Sequence, residues 1–443
     1  MTYENSLQFA RSQDHNDSLQ TFRERFYIPQ VNGKDAIYLC GNSLGLQPKS
    51  VRAALEQELL DWQNLGVEGH FQGKNPWFRY HELFSEKEAR IVGAQPAEVI
   101  VMNNLTTNLH LLLVSFYQPT PERYRIITEA GAFPSDQYAL ETQVKFHGFH
   151  PEEAILELKP RPGECNLRTA DIEAAIAENA HSVALILMGG LNYYTGQVFD
   201  LAAITKAGHA AGALVGFDLA HAAGNVLLSL HEWEVDFAVW CTYKYLNSGP
   251  GGVGAAFVHE KHAHNPDLPR FAGWWGHNPE ERFQMKKGFK PMAGAAGWQL
   301  SNGAILTMAA HKAALDIFDE AGMPALRAKS EQLTGYLEFL IQEMGLSATQ
   351  LQIITPAEPT ARGCQLSLLV HQNGRALFEK LTAAGVILDW REPNVIRVAP
   401  VPLYNSFEDV FCFAEILRKS WTELEQASTK GLVAPANTSD QSS

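Results

Sequence analysis

The sequence has few cysteines, no long apolar run and a deficit of positive charge. Its five cysteines, Cys40, Cys165, Cys241, Cys364 and Cys412, are odd in number, far apart and never in a CxxC pair. That excludes a disulfide framework or a zinc knuckle and points to a reducing compartment. Lys and Arg total 35 against 49 Asp and Glu, a formal charge of −14, which argues against a general nucleic-acid surface and against adhesion to anionic membranes. The most apolar windows are too short or too interrupted to span a bilayer. The start, MTYENSLQFARSQDHND, lacks a basic region followed by an apolar stretch, so no secretory leader is read there. These absences imply a cytoplasmic protein with neither nucleic acid nor membrane as partner.

What is present is enough apolar residue for a large core: 46% of 443 residues, with 19% charged, a length at which two domains are the default. The expected division is an N-terminal arm over 1–40, a large domain over 41–305, a small C-terminal domain over 306–431 and a disordered tail over 432–443. From residue 98 onward, β-branched and apolar runs alternate with helical patterns: EVIVMNN then LTTNLHLLLVSFYQ, YRIITEA then AFPSDQYALETQVKF, and later SVALILMGG, ALVGFDLAHAAG and DFAVWCTYK. Continuous apolar strands between helices predict an α/β domain with a largely parallel sheet, buried on both faces. A long helix is expected over 302–320 before the small domain.

Ligands of such sheets sit at the carboxyl ends of the strands, so polar residues directly after apolar runs have the best claim to chemistry. Four runs end suggestively: at Leu105 and Thr106, at Phe133 and Asp136, at Asp218 and His221, and at Tyr243 and Lys244. A lysine shielded from water loses its proton and becomes a nucleophile able to form an imine with a carbonyl. That suggests pyridoxal phosphate, whose ring nitrogen needs a carboxylate and whose phosphate needs backbone donors. Asp218, at the end of ALVGFD, suits the first need and Thr106, at a helix mouth, the second. Each has an ordinary alternative when read alone: Lys244 a surface lysine, Asp218 and Thr106 helix caps, Phe133 a core residue. The glycine run GPGGVG flows into a strand-like segment rather than opening a helix, so it is no dinucleotide or P-loop fingerprint.

Taken in order, LCGNSLGLQP, LTTNLHLL, AFPSDQYA, GFDLAHAAGN, WCTYKYLN, GWWGH and RVAPVPLYN resemble the successive signatures of the kynureninase family, over residues from about 20 to about 430. The resemblance implies an aminotransferase-like fold of type I: a large domain with a mostly parallel seven-stranded sheet and a smaller C-terminal α+β domain. It implies hydrolytic cleavage of the Cβ–Cγ bond of L-kynurenine, or of 3-hydroxykynurenine, to anthranilate or its 3-hydroxy form and L-alanine. By the same resemblance Lys244 anchors pyridoxal phosphate and moves protons at Cα, Asp218 pairs with the ring nitrogen, and Phe133 stacks on the ring. Leu105, Thr106 and Tyr243 bind phosphate, Asp136 and His221 complete the pocket, and Trp274 reaches the phosphate of a partner subunit in a homodimer with shared sites. Arg397 takes the substrate α-carboxylate, while Ser43, His70 and Asn302 line its aromatic end, Asn302 also lying at the cofactor. Tyr243 qualifies as an acid or base near neutrality only if its pKa is lowered.

Two other readings stay open on the sequence. A cysteine desulfurase or aminotransferase shares this fold, and a desulfurase needs a mobile cysteine, for which Cys364 is the candidate; its place before the strand-like QLSLLV favours a buried small hydrophobe instead. A non-catalytic cofactor-binding regulator is the alternative outside enzymology. The choice between kynurenine and its 3-hydroxy form turns on a single hydroxyl and on whether a buried partner meets it.

Overall fold

The computed structural model describes residues 2–263, 265 and 267–429; the expected tail over 432–443 lies outside them. The chain divides into two compact units. The larger comprises Leu44–Tyr193 and Gln197–Pro324, and the smaller combines the residues before Leu44 and after Pro324 with the short insert Tyr194–Gly196. The division falls at Pro324, beyond the expected 305, because the helix Ile305–Ala321 lays Ala310 and Ala313 against Val51 of the helix Val51–Leu65 in the larger unit. The arm, expected to stand by itself, groups with the C-terminal residues: Ile37–Tyr38 pairs in parallel with Val386–Ile387.

Among the described residues, the larger unit is built on a seven-stranded sheet. In chain order its strands are β1 (Val99–Val101), β2 (Arg125–Glu129), β3 (Ile155–Leu158), β4 (Val183–Gly189), β5 (Leu214–Asp218), β6 (Phe237–Cys241) and β7 (Gly254–Val258), and in space they run β1-β7-β6-β5-β4-β2-β3. β7 alone runs opposite to the other six. β1, β6 and β7 are buried at every residue, as burial on both faces demands. The helix Leu105–Phe116 covers one face with Leu109, Leu112, Leu113 and Phe116, and Phe116 stacks on Phe237 with centroids 4.7 Å apart.

The smaller unit has its own core beneath an antiparallel sheet of β8 (Leu351–Ile353), β9 (Leu366–Val370), β10 (Asp389–Arg391) and β11 (Val395–Val398), in the order β8-β9-β11-β10. Helices Met323–Gln342 and Phe407–Thr429 bury Leu333, Leu337, Val410 and Phe413 with Leu368 and Ile396 of the sheet. This is the expected α+β arrangement.

Candidate active site

The carboxyl ends of β2, β4, β5 and β6 and the segment after β1 converge on one cavity of the larger unit, lined by Leu105, Thr106, Phe133, Asp136, Asp218, His221, Tyr243 and Lys244. Eight of the residues singled out in the sequence therefore meet in one place. Their positions follow from local chemistry. Asn104 caps the helix Leu105–Phe116, its side chain accepting from the Thr107 amide at 3.0 Å. The cap is thus Asn104 rather than Thr106, and the Thr106 hydroxyl instead meets Ser135 Oγ at 2.8 Å. β7 passes close behind this helix mouth, since a Cβ on Gly254 would fall 2.8 Å from Asn104 C and 2.9 Å from Leu105 N. Pro134 opens the next helix, Pro134–Phe146, and sets Asp136 in its first turn, where the dipole favours an acid.

Lys244 follows β6 and aims its amine into the cavity. Nζ lies 3.0 Å from His221 Nε2, 5.7 Å from the Phe133 ring centroid and 6.0 Å from that of Tyr243. Tyr193 closes one side, edge-on to Phe133 at 5.4 Å. Asp218 ends β5 and spends one oxygen locally, accepting from the Ala220 amide at 2.7 Å, so it caps a turn and lines the site at once.

Burial dominates the electrostatics of the pocket. Burial raises the Asp218 carboxyl, against the opposing pull of the Ala220 amide and the Lys244 charge. Burial, and then the neighbouring Asp218, raise Asp136 well above the carboxylate range. Burial also lifts Glu129 to about 7. Tyr243 is raised, chiefly by burial and then by Cys241 beside it, the opposite of the lowering that a base near neutrality requires; its hydroxyl is a neutral donor here. Three carboxyls thus line a cavity with one lysine, and Asp136 Oδ1 is buried without a hydrogen-bond partner. A wall carrying three carboxyls, one with an unpartnered oxygen, fits a ligand whose ring nitrogen carries a proton, and the Leu105–Thr106 helix mouth with the Thr106 and Ser135 hydroxyls fits its phosphate.

Five expected residues lie elsewhere. Arg397 is on β11 of the smaller unit, fully buried, with Nε 3.2 Å and Nη2 2.7 Å from the two oxygens of Asp389. Ser43 ends the first segment of the same unit, its amide bonded to the Cys40 carbonyl. In the larger unit, His70 holds the Val67 carbonyl through Nδ1 at 3.0 Å and stands edge-on to Trp77. Trp274 is 43% exposed and donates to the Arg282 carbonyl at 3.2 Å, and Asn302 is exposed in a loop. Conversely, Glu129, Ser135, Gly189 and Tyr193 line the cavity without having been singled out. Glu129 obeys the same rule as the others, being the last residue of an apolar run, and Ser135 stands between two residues already chosen.

The sequence is 57% identical to the kynureninase of Koribacter versatilis over 414 residues, covering 93% of this chain and 97% of that protein. It is 56% identical to the kynureninase of Flavobacterium johnsoniae, over 95% and 99% of the two chains. The chain belongs to the kynureninase family. Residues 326–417 match the family model described as the kynureninase C-terminal domain. Among solved structures, the apo cysteine desulfurase of Thermococcus onnurineus NA1 superposes with a TM-score of 0.71 at 17% identity, over 90% of this chain and 97% of that one. At that identity the likeness speaks for the fold, the aminotransferase-like type I architecture, and for nothing finer. Among the described residues no helix is long and apolar enough to cross a membrane.

Proposed function

We propose that the protein is a pyridoxal-phosphate-dependent hydrolase that cleaves the Cβ–Cγ bond of L-kynurenine, releasing anthranilate and L-alanine. The observation that carries this reading is the meeting of Lys244, Asp218 and the Leu105–Thr106 helix mouth in one cavity of a chain that aligns with kynureninases over nearly its whole length. When bound, the cofactor supplies an electron sink that permits loss of the substrate α-proton and labilises the Cβ–Cγ bond.

The residues divide the remaining work. Lys244 anchors the cofactor covalently and afterwards carries protons to and from Cα; His221, 3.0 Å from its Nζ, fixes the amine's direction. Asp218 pairs with the protonated ring nitrogen, and Asp136 beside it shares the proton. Phe133 covers one face of the ring. Leu105 and Thr106 offer backbone amides and a hydroxyl to the phosphate, with Tyr243 as a neutral donor. When water adds to the γ-ketone, oxyanion charge develops that needs a placed donor; a phenol whose pKa is raised can donate to it but cannot serve as the base. Arg397 already presents its fork to a carboxylate, that of Asp389, and the substrate α-carboxylate asks for the same bidentate geometry. Ser43, His70 and Asn302 are assigned to the aromatic end of the substrate, Asn302 also to the cofactor, and Trp274 to the phosphate across the seam of a homodimer located in the cytoplasm.

The desulfurase reading loses support at Cys364, which is fully buried where a sulfur acceptor must be exposed and mobile. The test is product analysis: cofactor-loaded protein with L-kynurenine is expected to yield anthranilate and alanine in equal amounts. Alanine with elemental sulfur from cysteine, and no anthranilate from kynurenine, would overturn the assignment.

A further inference from the structure

One acid of the pocket has no task in the reaction just described. Glu129 closes β2, is 4% exposed and reaches across the end of β4, where its two carboxylate oxygens accept the Gly189 amide hydrogen at 3.1 and 3.2 Å. On the other side of β4, Gly189 is in register with Asp218 of β5, and the Gly190 amide donates to the Asp218 carbonyl at 2.7 Å. Glu129 and Asp218 therefore grip the same short piece of backbone from opposite sides. The fit is tight: a Cβ on Gly189 would lie 3.0 Å from Glu129 Oε1.

We propose that Glu129 is a positioning residue for the cofactor, fixing Asp218 through the Gly189–Gly190 backbone and adding a charge that the bound cofactor feels. The proposal rests on the cofactor reading above. A carboxylate held in so buried a place without a cation against it is costly, and burial together with Asp218 delays its ionisation to about 7. The ionisable groups around it are Asp136 on the helix Pro134–Phe146, Asp218 on β5 and Lys244 after β6, with His221 and Tyr243 lining the same cavity. Once ionised, Glu129 would add negative charge to the cavity it shares with Lys244 and Asp218, where a bound cofactor would carry its protons. The effect is to hold those protons to higher pH.

The test is an absorbance titration of substrate-free holoenzyme across neutral pH, wild type beside Glu129→Gln. The amide keeps the shape and loses the charge, so the midpoint of the visible band is expected to fall by about half a pH unit, the size of shift one partly screened buried charge produces. A normal band with an unchanged midpoint overturns the proposal; no band in wild type overturns the cofactor reading and the proposal with it. Should the variant fail to fold or to take up cofactor, infrared difference spectra of wild type labelled with carbon-13 glutamate give the answer. A labelled neutral-carboxyl band present just below neutrality and lost above it is expected, and its absence at both contradicts the proposal.

Discussion

The two ends of the same strands treat their buried acids in opposite ways. At the amino ends of β5 and β6, Asp236 accepts from the Val215 amide at 2.7 Å, His209 Nε2 at 2.9 Å, His262 Nε2 at 2.7 Å and Lys261 Nζ at 2.8 Å. Burial pushes that carboxyl up, but the hydrogen bonds from His209, His262 and Lys261 together outweigh it and hold it below the carboxylate range. Nearby Glu98 takes His231 Nδ1 at 2.9 Å and the Gln95 and Glu260 amides at 2.8 and 2.9 Å. Although Glu98, His231 and His259 bring ligand atoms within 4.8 Å of one another, the two rings are already committed to protein partners: His231 to Glu98 and Gln95, His259 to the Lys261 amide and the His231 carbonyl. That end is a finished hydrogen-bond network. At the carboxyl ends, Glu129, Asp136 and Asp218 share a cavity with one lysine, and burial outweighs the amides that Glu129 and Asp218 accept from, so all three are raised. The acid Asp236 is met by two imidazoles and an ammonium, whereas the cavity acids have no such set of cationic partners among the described residues, which is the pattern expected of a functional site.

Mutations should therefore separate function from stability along one sheet. Lys244→Ala is expected to lower kynurenine turnover at least about a thousandfold, since the proposed anchor and Cα proton carrier are both removed, while the urea midpoint of the cofactor-free protein stays at the wild-type value. Asp236→Ala should do the reverse, costing about 3 kcal/mol or more in urea unfolding because two histidines and a lysine lose a buried acceptor, with kcat per folded molecule retained. Gly254→Ala forces a methyl into the backbone of the helix mouth and should weaken cofactor affinity about tenfold, an order that a lost phosphate donor would give, read by fluorescence titration. Smallest is Cys364→Ala: normal turnover of kynurenine, and about 1 kcal/mol of stability lost from a well-packed site.

The two ends should also answer pH with opposite signs. Asp236 is depressed in the folded state, so its contribution is present above the unfolded pKa of about 3.9 and disappears as pH falls below it. Glu129 is raised to about 7, so its contribution is present below the unfolded value of about 4.3 and is lost as pH rises through neutrality. Thermal unfolding of cofactor-free Glu129→Gln should accordingly gain on wild type as pH rises across that window. A constant difference between the two would break the contrast.

Much of this was legible in the sequence because one rule governs it. Burial on both faces makes each parallel strand a continuous apolar run, and the first polar residues after the runs, Thr106, Asp136, Asp218 and Lys244, line one cavity. Glu129, at the end of its own strand, obeys the same rule. Thr106 looked like a cap because capping is decided by one residue's backbone, and Asn104 holds that place. The break at Pro324 was hidden because a helix pattern does not say which core it faces, and Ala310 and Ala313 face Val51. Ser43, His70, Trp274, Asn302 and Arg397 sit on loops, a short helix, a helical turn and a strand of another sheet. No local periodicity relates such residues to the cavity; the family resemblance alone singled them out.

The most direct check on the account is chemical. Holoenzyme reduced with borohydride fixes the cofactor to whichever amine bears it, and peptide mass mapping then finds the modified lysine. The account predicts stoichiometric adduct on the peptide containing Lys244; adduct on another lysine, or none, would contradict it.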